Sequence, residues 1–316
     1  MSINLFFRRL VRLMRSGSVH SPGYRSYVTA LREHPYTGAG AVFNLTIDFE
    51  LAWGRARRGE GCTTTAQLIQ RSHAARQALP VLLELAENYR IPITFAMVAH
   101  VALQNCAEHA VPPSFKPRWA GDWFVIDPKT NINENKDYYG YDLVQKILKS
   151  SVRHEIASHS FSHVDLGDDA TTSDVANFEI TQSHTILERL GREVTTFVFP
   201  KNHPGFIHLL KQVGFTAYRG NSQQSLDKDE HGLWRCPLGL WLSPLATSPS
   251  EIVSVLKLSV QKKALVNMWC HLYEFPSPES VRRYFEPIFK RARHLADNDG
   301  LAIRTMQDII KTINHV

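Results

Sequence analysis

Short apolar runs alternate with longer helical patterns along most of this chain, and this alternation limits the folds open to it. A strand, a helix and a second strand in succession form the unit of a parallel sheet. Periodicity alone does not separate a barrel from an open sheet. In a barrel, the loops after the strands carry the active site at one mouth. We predict strands near 42–48, 91–98, 154–158 and 196–199, with helices over 66–89, 141–149, 172–190 and 204–213.

Two histidines four residues apart follow the third predicted strand, at His159 and His163. On a single helical turn, this spacing places both imidazoles on one face, where they can bind one divalent metal. Histidines at this spacing also occur as surface or structural residues. In the metal interpretation, the pair supplies half of a metal site. A hydrolytic metal site still needs a carboxylate ligand and an open position for water.

An acidic pair ends the first predicted strand, at Asp48 and Glu50. Side chains alternate along a strand, so both carboxylates point the same way while Phe49 faces the opposite side. One carboxylate can then bind metal while the other accepts a proton from water. The alternative interpretation is a solvated turn or a helix cap.

Together these motifs resemble the polysaccharide deacetylase family, which is built on the NodB homology domain. The first family motif is similar to Thr46–Glu50, and the second, H-[ST]-x-x-H, matches His159–His163 at every defined position. The third motif, an aromatic and proline segment, resembles Phe197–Asn202. The last motif, a strand that ends in a histidine, resembles Val266–His271. The resemblance covers roughly residues 40 to 305.

The resemblance implies an α/β fold, a distorted (β/α) barrel with about seven parallel strands. It implies a deacetylase, a hydrolase of non-peptide carbon–nitrogen bonds that removes N-acetyl groups from a glycan or sugar precursor. Glu50, His159 and His163 would bind a divalent ion, with zinc expected and nickel, cobalt or manganese as alternatives. Asp48 would act as the general base and His271 as the proton donor to the leaving amine. The reverse assignment of the two carboxylates stays open.

One departure from the family pattern concerns the partner of the base. The third motif usually carries an arginine that orients the base, and this chain has Val198 at that position. Another cation or hydrogen bond must then orient Asp48. Arg219 and Lys201 are the candidates, and a solvated charge is the alternative interpretation of each.

An insertion rich in aromatic residues, over residues 111–141, is too long for a simple connection between two elements. Its rings could stack on sugar faces beside a hydrolytic site, or they could form a packed cover. Trp53, directly after the first motif, carries the same ambiguity. The insertion contributes Trp119, Trp123, Tyr138, Tyr139 and Tyr141, and we expect substrate contacts from Trp53, Phe199, Pro200 and Asn202.

The net charge of +6 is matched by the first 32 residues, which contain six arginines and no acidic residue. The rest of the chain is neutral overall, which argues against a nucleic-acid partner. Arginines interrupt the apolar N-terminal stretch, which excludes a membrane span there and argues against a secretory signal. A helix that packs on the domain and a basic amphipathic helix on an anionic bilayer surface are the two interpretations.

We expect a basic N-terminal extension over residues 1–35 and a single deacetylase-like domain over 36–316. The four cysteines form no C-x-x-C pair, which favours a cytoplasmic location, with peripheral contact at the inner face of the membrane as an alternative. Two other functions stay open: a metal-dependent hydrolase of a small amide or O-acyl ester, and a non-catalytic glycan-binding module. An enzyme is favoured, because the histidines and carboxylates would otherwise have no role.

Overall fold

In the part of the chain that the structure describes, ten β-strands, most of them parallel, form the central sheet. The computed structural model describes residues 23–54, 64–116, 123–221 and 226–314. The parallel pairing is the result that βα alternation predicts. The strands are Val42–Phe49 (β1), Thr94–Met97 (β2), Glu155–Ser158 (β3), Thr196–Val198 (β4), Ala217–Arg219 (β5), Asp227–Lys228 (β6), Trp234–Cys236 (β7), Leu240–Trp241 (β8), Leu265–His271 (β9) and Ala302–Ile303 (β10).

The sheet order is β6-β7-β5-β4-β3-β2-β1-β9-β8, and β10 pairs with β1. Only the β6–β7 pair is antiparallel among the strands of the described residues. In the same residues, the hydrogen-bonded path runs from β6 to β8 without closing. The fold is therefore a half-barrel, which confirms the predicted distorted (β/α) barrel.

Some of the helices begin at a side-chain cap. Thr64, Ser248 and Ser277 each accept a hydrogen bond from a backbone N–H in the first turn of the helix that follows. All three caps form reciprocal capping boxes. The helices are Tyr24–Glu33 (α1), Thr65–Tyr89 (α2), Tyr141–Lys149 (α3), Ser173–Glu188 (α4), Ile207–Val213 (α5), Pro249–Lys262 (α6), Pro278–Asn298 (α7) and Met306–Asn314 (α8).

The β1 strand lies inside the sheet and is buried along its whole length. Its register pairs Asp48 with His271 of β9 and Phe49 with Met97 of β2. Phe49 belongs to the main hydrophobic core. The apolar, β-branched composition of β1 fits a parallel strand that is covered on both faces. This register brings the carboxyl ends of neighbouring strands to one edge.

The first described helix, α1, packs against the main hydrophobic core. Tyr27 and Leu31 of α1 are buried in the main core, and the Tyr27 hydroxyl donates to the backbone oxygen of Asn267. Residues 24–33 therefore pack with the body of the protein, and the division into residues 1–35 and 36–316 stays a prediction. The arginine-rich stretch over residues 1–22 lies outside the described residues. Within the described residues, no helix has the length and apolarity that a bilayer crossing requires.

His154, which precedes β3, is a buried imidazole that links folding stability to pH. Its Nδ1 accepts a hydrogen bond of 3.2 Å from the backbone N–H of Ile93. Burial lowers the pKa of His154 to about 4. In the unfolded chain, a histidine titrates near pH 6.5. Between these two values the unfolded chain binds more protons, so the free energy of unfolding falls as the pH decreases from about 6.5 to about 4.

We expect the titration of His154 to lower the free energy of unfolding by about 3 kcal/mol as the pH decreases from about 7 to about 4. Urea denaturation of the wild type and of His154→Asn at several pH values measures this contribution. The asparagine Oδ1 can accept from Ile93 in place of Nδ1 and does not titrate. If the two proteins lose stability equally over this range, His154 is not the group responsible.

Candidate active site

Side chains that can carry chemistry meet at one edge of the sheet, where the carboxyl ends of the central strands lie. Glu50 directly follows β1, and His159 directly follows β3. Arg219 and His271 are the last residues of β5 and β9. The structure brings together all five residues predicted for catalysis and metal binding: Asp48, Glu50, His159, His163 and His271.

One oxygen of Glu50 is the point on which three imidazoles converge. The Glu50 Oε1 lies 3.0 Å from Nε2 of His163, and 3.3 Å from Nε2 of both His159 and His271. The Nδ1 of His159 lies 2.7 Å from the backbone oxygen of Val198, which can only accept, so Nδ1 carries a proton. In the neutral ring, the lone pair of Nε2 then faces a carboxylate oxygen. A cation between these two atoms removes the repulsion.

The motif that contains His159 and His163 is a loop, so the predicted helical turn is wrong. Ser160 and His163 have φ angles of 62° and 63°, in the left-handed region, which a right-handed helix does not allow. The Ser160 hydroxyl accepts from the backbone N–H of His163, which closes a tight turn. Both imidazoles still contact Glu50, because the loop orients them toward it.

A buried glutamate that the sequence analysis did not single out supports this loop. The Oε2 of Glu179 on α4 accepts from the backbone N–H groups of Phe161 and Ser162, at 2.9 and 2.8 Å. Its Oε1 accepts from the Ser162 hydroxyl at 2.5 Å. Burial raises the pKa of Glu179 to about 7, against the effect of these hydrogen bonds. Glu179 therefore positions the loop without contacting the predicted metal ligands.

Asp48 is held by a buried arginine. The two oxygens of Asp48 accept from NH1 and NH2 of Arg219, at 2.8 and 2.7 Å. The same NH2 also donates to Oδ1 of Asn202, at 2.9 Å. Of the two candidate cations, Arg219 makes this contact with Asp48. It stands on β5, one strand beyond Val198 of β4, and the register places the two residues side by side.

The charges of the site outweigh the effect of burial on both carboxyl groups. Burial alone would raise the pKa of Asp48, but the Arg219 guanidinium holds it below its usual value. Burial acts in the same way on Glu50, and the imidazoles of His163 and His271 hold its pKa well below the usual value. Both groups are therefore ionised at neutral pH.

The two imidazoles beside Glu50 differ in charge. Burial lowers the pKa of His163 to about 4, against the attraction of Glu50. Burial would also lower the pKa of His271, but Glu50 and Glu274 raise it to about 10. At neutral pH, His163 is thus in the neutral form that binds metals, whereas His271 is protonated.

Glu50, His159 and His163 form a group that fits a divalent metal. All three are buried, and their ligand atoms lie within 4.8 Å of one another. Two imidazoles and one carboxylate are a common protein ligand set of hydrolytic zinc. Asp48, Glu50 and His271 lie equally close together. Because both oxygens of Asp48 already bind Arg219, the group with the two loop histidines fits better.

Two of the aromatic residues expected to contact substrate belong to the core. Trp53 is completely buried, and its Nε1 donates to the backbone oxygen of Tyr138. Phe199 is also completely buried, and its ring packs against Tyr218. Neither ring has an exposed face on which a sugar could stack in this structure, so their contact with substrate stays a prediction. Trp53, after β1, and Phe199, in the third motif, both pack in the main hydrophobic core.

The aromatic insertion also contributes mainly to packing. Trp123, Tyr138 and Tyr139 are buried in the main core, whereas Tyr141 is partly exposed at the start of α3. Trp119 lies outside the described residues. Pro200 is buried, and Asn202 is nearly so. Asn202 accepts a hydrogen bond from Arg219, the same arginine that binds Asp48, so Arg219 links the two residues.

A set of aromatic residues around His271 was missed in the sequence. Trp269 lies two residues before His271 on β9, and the guanidinium carbon of Arg219 lies 4.8 Å from its ring centre. The Nε1 of Trp269 is buried without a hydrogen-bond partner. Tyr273 stacks on His271 with ring centres 4.7 Å apart, and Glu274 accepts from Nδ1 of His271 at 2.9 Å. The period of two along β9 is the signal that places Trp269 beside His271.

Comparison with known proteins gives one family and one fold. Residues 72–217 match the family model described as polysaccharide deacetylase. No curated protein matches the chain. The matched range contains the loop with His159 and His163, whereas Asp48, Glu50 and His271 lie outside it and join the site through the fold.

Several solved structures share the fold. A protein described as a polysaccharide deacetylase from Mycobacterium smegmatis aligns with a TM-score of 0.55 and 14% identity, over 88% of this chain and 91% of that one. Another so described, from Pseudomonas aeruginosa PAO1, aligns with a TM-score of 0.57 and 12% identity, over 87% and 92%. PuuE allantoinase aligns with a TM-score of 0.55 and 12% identity, over 95% of each chain. The family match over residues 72–217 and the shared fold relate this chain to the polysaccharide deacetylases, which are hydrolases of carbon–nitrogen bonds.

Proposed function

We propose that this protein removes N-acetyl groups from a glycan or sugar precursor with the help of a divalent metal held by Glu50, His159 and His163. The observation that carries the proposal is the convergence of three imidazole Nε2 atoms on Glu50 Oε1, at 3.0 to 3.3 Å. A neutral imidazole and an ionised carboxylate in such contact favour a cation between them.

In this proposal the two carboxylates have different roles. When bound, the metal would lower the pKa of a water molecule toward neutrality and stabilise negative charge on the acyl oxygen. Asp48 accepts the proton of the attacking water, and Arg219 fixes the direction of both Asp48 oxygens. The same arginine makes Asp48 a weak base, so Asp48 can deprotonate only a water that is already acidified.

His271 is the proposed proton donor to the leaving amine. Its side chain is 16% exposed, whereas those of Asp48 and Glu50 are 3% exposed, so it lies where the site opens. Glu274 holds Nδ1, and Nε2 lies 4.0 Å from the nearest Asp48 oxygen. This arrangement places a protonated nitrogen beside the proposed base, as general acid–base catalysis requires.

The direct test is acetate release from N-acetylated oligosaccharides before and after chelation of metals. We expect the chelated protein to lose activity and zinc to restore it, while circular dichroism shows that the fold persists. His208→Ala, a change of an exposed histidine on α5, serves as the control and should behave as the wild type does. Full acetate release after complete metal removal, checked by elemental analysis, would refute the metal-dependent scheme.

A hydrolase of a small amide is the second candidate. Trp53 and Phe199 offer no stacking surface for a polymer. The allantoinase shares the fold at a TM-score equal to that of the deacetylase from Mycobacterium smegmatis. The substrate panel should therefore include allantoin, with substrate loss as the readout. Consumption of allantoin without any release of acetate from sugars would favour the small-amide hydrolase.

A further inference from the structure

A second group of potential metal ligands lies in the chain that joins β2 to α3. His100 is in the 3-10 turn Ala99–Ala102, and Cys106 begins the next turn. His109 follows three residues after Cys106, and Asp127 directly follows the turn Trp123–Ile126. The segment before the aromatic insertion and the middle of that insertion thus meet at these four side chains.

Three ligand atoms of this group, from His100, His109 and Asp127, lie within 4.8 Å of one another, and the Cys106 Sγ lies close to two of them. The Asp127 Oδ2 lies 3.4 Å from Nε2 of His100 and 3.3 Å from Nε2 of His109. The Cys106 Sγ lies 3.3 Å from Nε2 of His109 and 3.6 Å from the same Asp127 oxygen. Around tetrahedral zinc, nitrogen and oxygen ligands stand about 3.3 Å apart and a sulfur ligand about 3.5 Å from them.

The surroundings of the two imidazoles favour a cation beside Asp127. The Nδ1 of His109 lies 2.7 Å from the backbone oxygen of Ala110, so it carries a proton and the lone pair of neutral Nε2 faces Asp127. His100 is completely buried, and its Nε2 lies 3.4 Å from the same Asp127 oxygen. A metal ion between these atoms would be a ligand partner for both imidazoles and for the carboxylate.

We propose that His100, Cys106, His109 and Asp127 bind a structural zinc ion that is separate from the catalytic site. Four protein ligands close the coordination sphere, which is typical of structural zinc and leaves no position for a reacting water. On binding, the Cys106 thiol releases its proton to solvent and the thiolate becomes the ligand. The other Asp127 oxygen is held by the backbone N–H of Lys129, as is usual around metal ligands.

The proposed zinc ion would tie the insertion to the active-site loop. The ring of Phe161, between His159 and His163, lies 5.0 Å from the ring of His109 and 5.5 Å from that of His100. His100 also packs against Trp53, with ring centres 4.3 Å apart. A metal that fixes both imidazoles therefore fixes the surface on which this loop packs. The proposal does not depend on deacetylase activity.

Cobalt substitution of the full-length protein distinguishes this site from the catalytic one, because only this site has a sulfur ligand among the described residues. We expect the cobalt protein to show a thiolate-to-cobalt charge-transfer band in the near ultraviolet. The band should disappear in Cys106→Ser and remain in Cys236→Ala, which removes a buried thiol elsewhere. It should also remain in His163→Ala, which damages only the proposed catalytic site.

A second measurement needs no substitution. Zinc should protect Cys106 from alkylation in the folded wild type, as peptide mass mapping can show, and chelation should restore its reactivity. Absence of the charge-transfer band from the wild type, together with alkylation of Cys106 that zinc does not slow, would overturn the proposal. In that case the group is a metal-free ion pair: burial lowers the pKa of His109, but Asp127 raises it more strongly.

Discussion

Replacement of Asp48 by asparagine is expected to lower the rate of acetate release by roughly 10²–10⁴-fold, the usual contribution of a general base. The amide cannot accept the proton of the attacking water at neutral pH. Glu50, His159 and His163 keep their positions, so metal binding should persist. The measurement is kcat on the best N-acetylated substrate, with metal content determined on the same preparation.

Asp142→Asn is the matched control for this variant. Asp142 also forms an ion pair with an arginine, Arg76, but on the surface of α3. This variant should keep its full rate. An Asp48→Asn protein that retains the wild-type rate would contradict the assignment and would leave Glu50 as the other carboxylate able to act as the base.

Replacement of Arg219 by methionine is expected to lower the free energy of unfolding by about 3–5 kcal/mol, since it leaves the buried Asp48 carboxylate without a partner. Arg219 is 0% and Asp48 3% exposed in their side chains. Urea denaturation measures the loss. Acetate release should also fall, because Asp48 loses the two contacts that orient it.

Arg282→Met provides the comparison, because Arg282 pairs with Glu84 at a similar distance of 2.8 Å. Those side chains are 42% and 52% exposed, so the loss should lie between about 0 and 1 kcal/mol. The double variant Asp48→Asn, Arg219→Met should be less destabilised than the two single changes together. Equal losses for Arg219→Met and Arg282→Met would contradict the buried ion pair.

The sequence predicts the order of strands and helices well, because buried parallel strands need apolar runs that are visible locally. The predicted helix over 141–149 has the observed limits, and the predicted first strand is one residue short of β1. The opening of the sheet between β6 and β8 was not predictable. Strands β6 and β8 are two residues long, which is too short for any periodic signal.

In the candidate site, too, the sequence indicates what depends on neighbouring residues but not what depends on contacts between distant parts of the chain. The spacing of His159 and His163 indicates that they act together. The conformation of the loop between them, with left-handed φ angles at Ser160 and His163, is supported by contacts from Glu179, which lies on the distant helix α4. Trp53 follows a chemically important strand yet turns into the core, where its Nε1 finds the backbone oxygen of Tyr138.

Arg219 illustrates a residue that the sequence offers only as one of two candidates. Its contact with Asp48 joins positions 171 residues apart, and the pairing of β4 with β5 brings the guanidinium to the place left by Val198. The group of His100, Cys106, His109 and Asp127 contains no C-x-x-C pair, and its members lie in or directly after three separate turns, so local spacing does not mark it.

Elemental analysis of purified wild type and His163→Ala, both saturated with zinc and freed of excess, tests the central claim most directly. If Glu50, His159 and His163 bind a metal, the variant must hold one zinc ion fewer per chain, whether or not the second site exists. His208→Ala should hold as much zinc as the wild type, and circular dichroism should show all three proteins folded. The same zinc content in the wild type and in His163→Ala would contradict the proposed metal site.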